Sequence, residues 1–388
     1  MKLAFSGFPG IKRCNLWMAG VLLFTITANI PGRTADFTTP ASSFVYIMTN
    51  PTGPNVILAF KRDPRSGSLS TLGSYPTGGM GQKLVVAMSQ SAIVTDGSFL
   101  YAVNSGSNDI SAFVVQRDGA LRLLGTVSSG GSSPITLALH GDLLYVGNQG
   151  TTQEPANYTG FRVNSEGMPA PLLGSTVTLN IGDGPTALLF NSTGSKLLGF
   201  RLNGHLIDAF AVNANGTLLR TDMVGSAAPF GAIFNPANGS ELVVTLVGIP
   251  GAATYSVSTD GLLGINTSAA DARSKDPCWL AITSNGTFTW SSNFQPSSLS
   301  LFAIDKIGNL TFVGEHDTSS IGSNSSDIAL DATGKFLYQL LPFPPSHTLL
   351  HVMAVTGKLE NGGLEDLDTI SIPGDHIYPM GLVIVDKP

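Results

Sequence analysis

The sequence predicts an all-β fold, a seven-bladed β-propeller. Three observations carry this: a phrase of four short strands recurs at intervals of 44–55 residues, each copy holds a glycine-containing hairpin turn, and the last strand pattern lacks a partner in its own copy. The second strand of each unit is the clearest. Phe99–Asn104 (FLYAVN), Leu143–Asn148 (LLYVGN) and Phe288–Asn293 (FTWSSN) are strong copies. Phe44–Thr49, Lys196–Arg201, Glu241–Leu246 and Phe336–Leu341 are weaker ones, with Tyr46, Tyr101, Tyr145, Leu198, Val243, Trp290 and Tyr338 at the equivalent position.

The third and fourth strands follow as a hairpin. NDISAFVVQRDGALRLLGTV alternates about Asp118-Gly119, NVILAFKRDPRSGSLSTLGSY matches it, and LSLFAIDKIGNLTFVGEH repeats it about Gly308-Asn309. The first strand opens on proline at Pro134-Ile135, Pro185-Thr186 and Pro277-Cys278. Closure gives a separate check. The first unit begins directly at its second strand, and the chain finishes with GLVIVD (Gly381–Asp386), a first-strand pattern preceded by Tyr378-Pro379. That final strand is expected to complete the first blade and close the ring, which removes exposed sheet edges. Residues 36–388 then form one propeller domain.

Composition agrees. The 388 residues include 45 glycines and 23 prolines, with only 12% charged, so turns are plentiful and long helical patterns are missing. A net charge of −6 argues against a nucleic-acid partner, which needs a basic face. Lys2, Lys12 and Arg13 precede the apolar run Leu16–Ala28, the layout of a signal peptide, with a signal anchor as the alternative. Residues 1–35 are read as signal peptide and short leader, and the mature chain as secreted, extracellular or attached to the cell wall or surface, with no membrane segment after cleavage. Cys14 lies in the leader, which leaves Cys278 without an intramolecular partner. Eight Asn-x-Ser/Thr sequons at Asn157, Asn191, Asn215, Asn238, Asn266, Asn285, Asn309 and Asn324 predict a glycoprotein.

The phrases VYIMTNPTGPNVILAFKRDPRSGSLSTLGSYPTGG and LYAVNSGSNDISAFVVQRDGALRLLG resemble the lactonase family of seven-bladed propellers, which groups 6-phosphogluconolactonases with carboxymuconate cyclases. The resemblance implies a lactonase-type hydrolase or a lactonising cyclase. It also implies a Pro-Arg-His phrase opening a first strand and an Asn-Glu phrase ending the next. Here the openings read Pro134-Ile135-Thr136, Pro185-Thr186-Ala187, Pro229-Phe230-Gly231 and Pro277-Cys278-Trp279, without histidine. The strand ends read Asn104-Ser105, Asn148-Gln149, Arg201-Leu202 and Asn293-Phe294, without glutamate. No catalytic residue carries over.

Topology nominates a site independently. Starts of first strands and ends of second strands emerge on one propeller face. There Arg201 and Arg273 are expected to hold an anion, and Asn104, Asn148, Gln149 and Asn293 to contact ligand; Asp183 and Asp276 join them. Asp375 and His376 are the candidate acid–base pair, since histidine titrates near neutrality. Capping of turns is the competing role for the asparagines. No metal, phosphate-loop or nucleophile-elbow motif is visible, so no cofactor is expected. The expected partner is a small carboxylate, a lactone or a carbohydrate bound by a monomer. The alternative to an enzyme is a non-catalytic glycosylated propeller that binds a carbohydrate, small molecule or protein.

Overall fold

A computed structural model describes residues 42–82, 89–270, 275–343, 347–372 and 378–387. The proposed leader lies outside them. The described chain is almost entirely β and forms seven antiparallel sheets, six of them four-stranded. In blade 1 the order is Met380–Lys387, Ser42–Met48, Gly53–Arg62, Leu69–Gly81, so the final strand pairs with the first, as expected. Blades 2, 4, 5, 6 and 7 run in plain chain order, opening at Ile93, Pro185, Pro229, Pro277 and Ile328. Blade 3 opens at Pro134 and splits its outer position between Pro169–Pro171 and Val177–Thr178.

Side chains on a strand point alternately to its two faces, and in this ring each face meets a neighbouring blade. In Ser42–Met48, Phe44, Tyr46 and Met48 pack with blade 2 residues such as Tyr101 and Phe113. Val45 and Ile47 on the other face pack with Tyr338, Leu340 and Leu350 of blade 7. Two buried faces explain why the second strands read as unbroken apolar runs.

The recurring aromatic position has a second task. Tyr46 Oη donates to the Gly119 carbonyl at 2.8 Å, Tyr101 to Gly167 at 3.0 Å and Tyr145 to Gly216 at 2.8 Å. Trp290 Nε1 donates to Gly362 at 2.8 Å, and Tyr338 to Gly67 at 2.7 Å. Each acceptor is the turn glycine between the third and fourth strands of the next blade. Where the aromatic is replaced by Leu198 or Val243, a threonine substitutes: Thr221 Oγ1 reaches Gly261 at 3.1 Å and Thr254 Oγ1 reaches Gly308 at 2.5 Å. Seven head-to-tail bonds therefore stitch the ring. Glycine is required here twice over. Gly119 and Gly167 have φ of +83° and +89°, and an added Cβ would run into the Phe44 and Phe99 rings.

Near the axis, Ser89-Gln90 crosses from the entry to blade 2 to the blades opposite. Gln90 Nε2 donates to the Ala232 carbonyl at 3.0 Å, while Ala232 N donates to Gln90 Oε1 at 3.2 Å. Gln90 N donates to Thr186 O at 3.0 Å, Thr136 Oγ1 to Gln90 O at 2.7 Å, and Trp279 Nε1 to Ser89 O at 2.9 Å. One dipeptide thus ties blades 3 to 6 together. Beyond it the first strands of all seven blades surround a chamber of about 570 Å³.

Candidate functional site

First-strand starts and second-strand ends do share one face, and most of the predicted ligand contacts are consumed there by the fold. Arg201 ends the second strand of blade 4, only 4% exposed. Its Nη1 bonds Asp183 and its Nη2 bonds Asp208, both at 2.8 Å. Arg220 pairs with Asp208 from the outer strand, and the Tyr158 hydroxyl donates to the other Asp208 oxygen at 3.2 Å. A guanidinium held between two buried carboxylates is committed. Arg201, expected to hold a ligand anion, here holds Asp183, the very acid predicted to line the funnel with it.

The asparagines are engaged similarly. Asn104 is fully buried. Its Nδ2 donates to Asp109 at 2.6 Å and Ser111 at 2.7 Å, and its Oδ1 accepts from Thr77 at 2.8 Å and Asn55 at 3.1 Å. Asn148 Nδ2 donates to Asn157 Oδ1 at 2.8 Å and Ser129 O at 3.2 Å, although its buried Oδ1 has no partner. Asn293 is also fully buried and donates to Ser298 and Ser300 at 2.9 and 2.8 Å. All three brace the turn after their own strand, where burial of an amide requires such partners. Arg273, Asp375 and His376 lie outside the described residues.

Gln149 differs. It follows the second strand of blade 3, is half-buried, and lines a cleft of about 830 Å³ on this face between blades 2, 3 and 4. Gln82, Asn108, Ser133 and Asn203 share the lining. Among the described residues the side-chain amides of Gln149 and Asn203 find no hydrogen-bond partner, and both line the cleft with donors and acceptors open. The walls are held stiffly. Asn108 and Ser133 adopt φ of +58° and +55°, and Asn108 Oδ1 accepts the Ser133 N–H at 2.7 Å. Ser133 Oγ donates to Gln82 Oε1 at 3.0 Å. Left-handed backbone at non-glycine residues clusters where a site needs rigid presentation.

Sequence reasoning missed Asn108, Ser133 and Asn203 because turn residues without charge carry no motif. It also missed Asp327, which opens the first strand of blade 7. Burial pushes this carboxyl up to about 8, against the backbone N–H groups of Ile328 and Leu382 that favour its charged form. On the seam between blades 6 and 7, His316 Nε2 lies 2.7 Å from Asp366 Oδ1, and His351 Nε2 lies 3.0 Å from the same atom without hydrogen-bond geometry. His351 Nδ1 contacts Gln339 Oε1 at 3.4 Å. Cys278 is buried, and its thiol is pushed up by desolvation. Among the sequons, Asn215, Asn238, Asn266, Asn285 and Asn309 are exposed, Asn191 and Asn324 half-buried, and Asn157 is hydrogen-bonded within its strand.

Residues 33–178, spanning the first three blades, match the family model described as Lactonase, 7-bladed beta-propeller. That match covers less than half of the chain; with the seven-bladed ring, it makes the chain similar to the propellers of the lactonase family. Among solved structures, the chain is similar to a candidate 6-phosphogluconolactonase from Bacteroides uniformis, with 19% identity, TM-score 0.70, and 89% of this chain and 99% of that one covered. It is also similar to the periplasmic gluconolactonase PpgL of Pseudomonas aeruginosa, with 17% identity, TM-score 0.71, and 89% and 100% covered. At such identities the likeness is one of fold. No curated protein matches the sequence.

Proposed function

We propose that this chain is a secreted, glycosylated, lactonase-like propeller that binds a small molecule in the cleft between blades 2, 3 and 4. The observation that carries the reading is the pair of unpartnered amides, Gln149 and Asn203, in a rigid cleft of about 830 Å³. That volume is typical of small-molecule sites, roughly 300–1,000 Å³. Binding is favoured over hydrolysis because no acid or base lies in the described lining, and Arg201 and Asp183 are paired within the fold.

The test is a panel of small lactones and sugars, assayed for both turnover and binding with Gln149→Ala and His376→Ala variants. Saturable binding weakened about tenfold by Gln149→Ala, with turnover no faster than the blank, is expected; losing one hydrogen bond of about 1–1.5 kcal/mol gives that factor. Turnover abolished by His376→Ala would replace this reading with hydrolysis at Asp375 and His376. Secretion is checked by N-terminal sequencing of protein from the medium, where a start near residue 29 or 36 is expected. Endoglycosidase treatment of that protein is expected to lower its apparent mass.

A further inference from the structure

The chemistry of this cleft narrows its ligand, and the narrowing rests on the binding site proposed above. The described lining comprises amides, hydroxyls, glycine backbone and the exposed Ile181, with no ionisable side chain. Beside it stands a carboxylate. Glu154, in the exposed loop that follows Gln149, accepts a hydrogen bond from Ser132 Oγ, itself a lining residue. The loop is braced across the cleft wall: Gln149 N donates to Ser133 O and Gly150 N to Ser132 O, both at 2.9 Å, and Thr151 N to Glu154 O at 3.0 Å. Among the described residues, the guanidinium beneath, Arg201, is already neutralised by Asp183 and Asp208.

A carboxylate or phosphate entering here loses its water and gains no cation from the described lining. It also approaches the Glu154 carboxylate. A neutral hydroxylated ring loses far less and finds matched partners, since each free amide supplies both donor and acceptor. We propose that the cleft selects neutral polyhydroxylated rings, such as an unmodified sugar or its uncharged lactone, and rejects the corresponding sugar acids and sugar phosphates.

Three probes on one six-carbon skeleton separate the possibilities: D-glucose, D-gluconate and glucose 6-phosphate, titrated onto the full secreted chain and followed by saturation-transfer NMR. Glucose is expected to bind, gluconate and glucose 6-phosphate at least tenfold more weakly, and Gln149→Ala and Asn203→Ala each to weaken glucose binding. Glu154→Gln is expected to narrow the gap between glucose and the anions; this exposed position leaves the fold intact. Anions binding as well as glucose, with both amide variants still impaired, would overturn the selectivity while sparing the site. No binding of any probe, or binding indifferent to both amide variants, would overturn the site itself.

Discussion

At the scale of single residues, burial decides what a polar group does. Arg201 was nominated by its chemistry, and its chemistry is why it is unavailable: a desolvated guanidinium must keep its carboxylates. Arg201→Ala would leave Asp183 and Asp208 with fewer cations in a dry interior, and denaturant unfolding is expected to show a loss of about 3–5 kcal/mol. Ligand binding at Gln149 is expected to survive wherever the variant folds. Asp327 makes the opposite case, a buried acid with no cation among its described contacts. Its folded value of about 8 lies above an unfolded carboxyl near 4, so the folded state binds the extra proton. The resulting stability is fully present below about pH 4 and is lost as pH rises towards 8. Urea unfolding at pH 5 and 8.5 should show that slope in the native chain and a flatter one in Asp327→Asn. Neither behaviour was legible in the sequence, because spacing along a strand says which face a residue occupies and nothing about who meets it there.

At the scale of elements, legibility was high for strands and poor for the turns between them. The second strands appear where the apolar runs place them, with Phe99–Asn104 and Leu143–Asn148 reproduced to the residue. The recurring aromatic was visible as a spacing; its hydrogen bond to the next blade was not, since that partner lies 66–73 residues away for the first three tyrosines. Tyr101→Phe removes the donor and leaves the Gly167 carbonyl buried without it. The expected cost is about 1 kcal/mol by chemical denaturation, with Leu198 and Val243 showing that the position tolerates an apolar side chain only where a threonine covers the glycine. The cleft lies on the turns, in Asn108, Ser133 and Asn203, and so escaped a reading built on strand periodicity.

At the scale of the whole molecule, the ring is a cycle of seven seams that differ in chemistry. Most are apolar; the seam between blades 6 and 7 contains His316, His351 and the shared Asp366. Burial pushes His351 below its ordinary value, and the neighbouring His316 adds to this, while Asp366 opposes it. A histidine depressed in the fold contributes stability above about pH 6.5 that is lost as pH falls through its folded value. Unfolding at pH 7.5 and 5 is expected to show that loss, reduced in His351→Gln.

The last strand, Met380–Lys387, belongs to the first blade. A ribosome makes it after every other strand of the ring, at about 5–20 residues per second. Throughout synthesis the edge of Ser42–Met48 waits unpaired, a template for any other extended chain nearby. Emergence of Met380–Lys387, rather than completion of any one blade, is then the event that lets the ring become a circle, and a nascent chain arrested before Met380 would be an open arc seeking a strand from elsewhere.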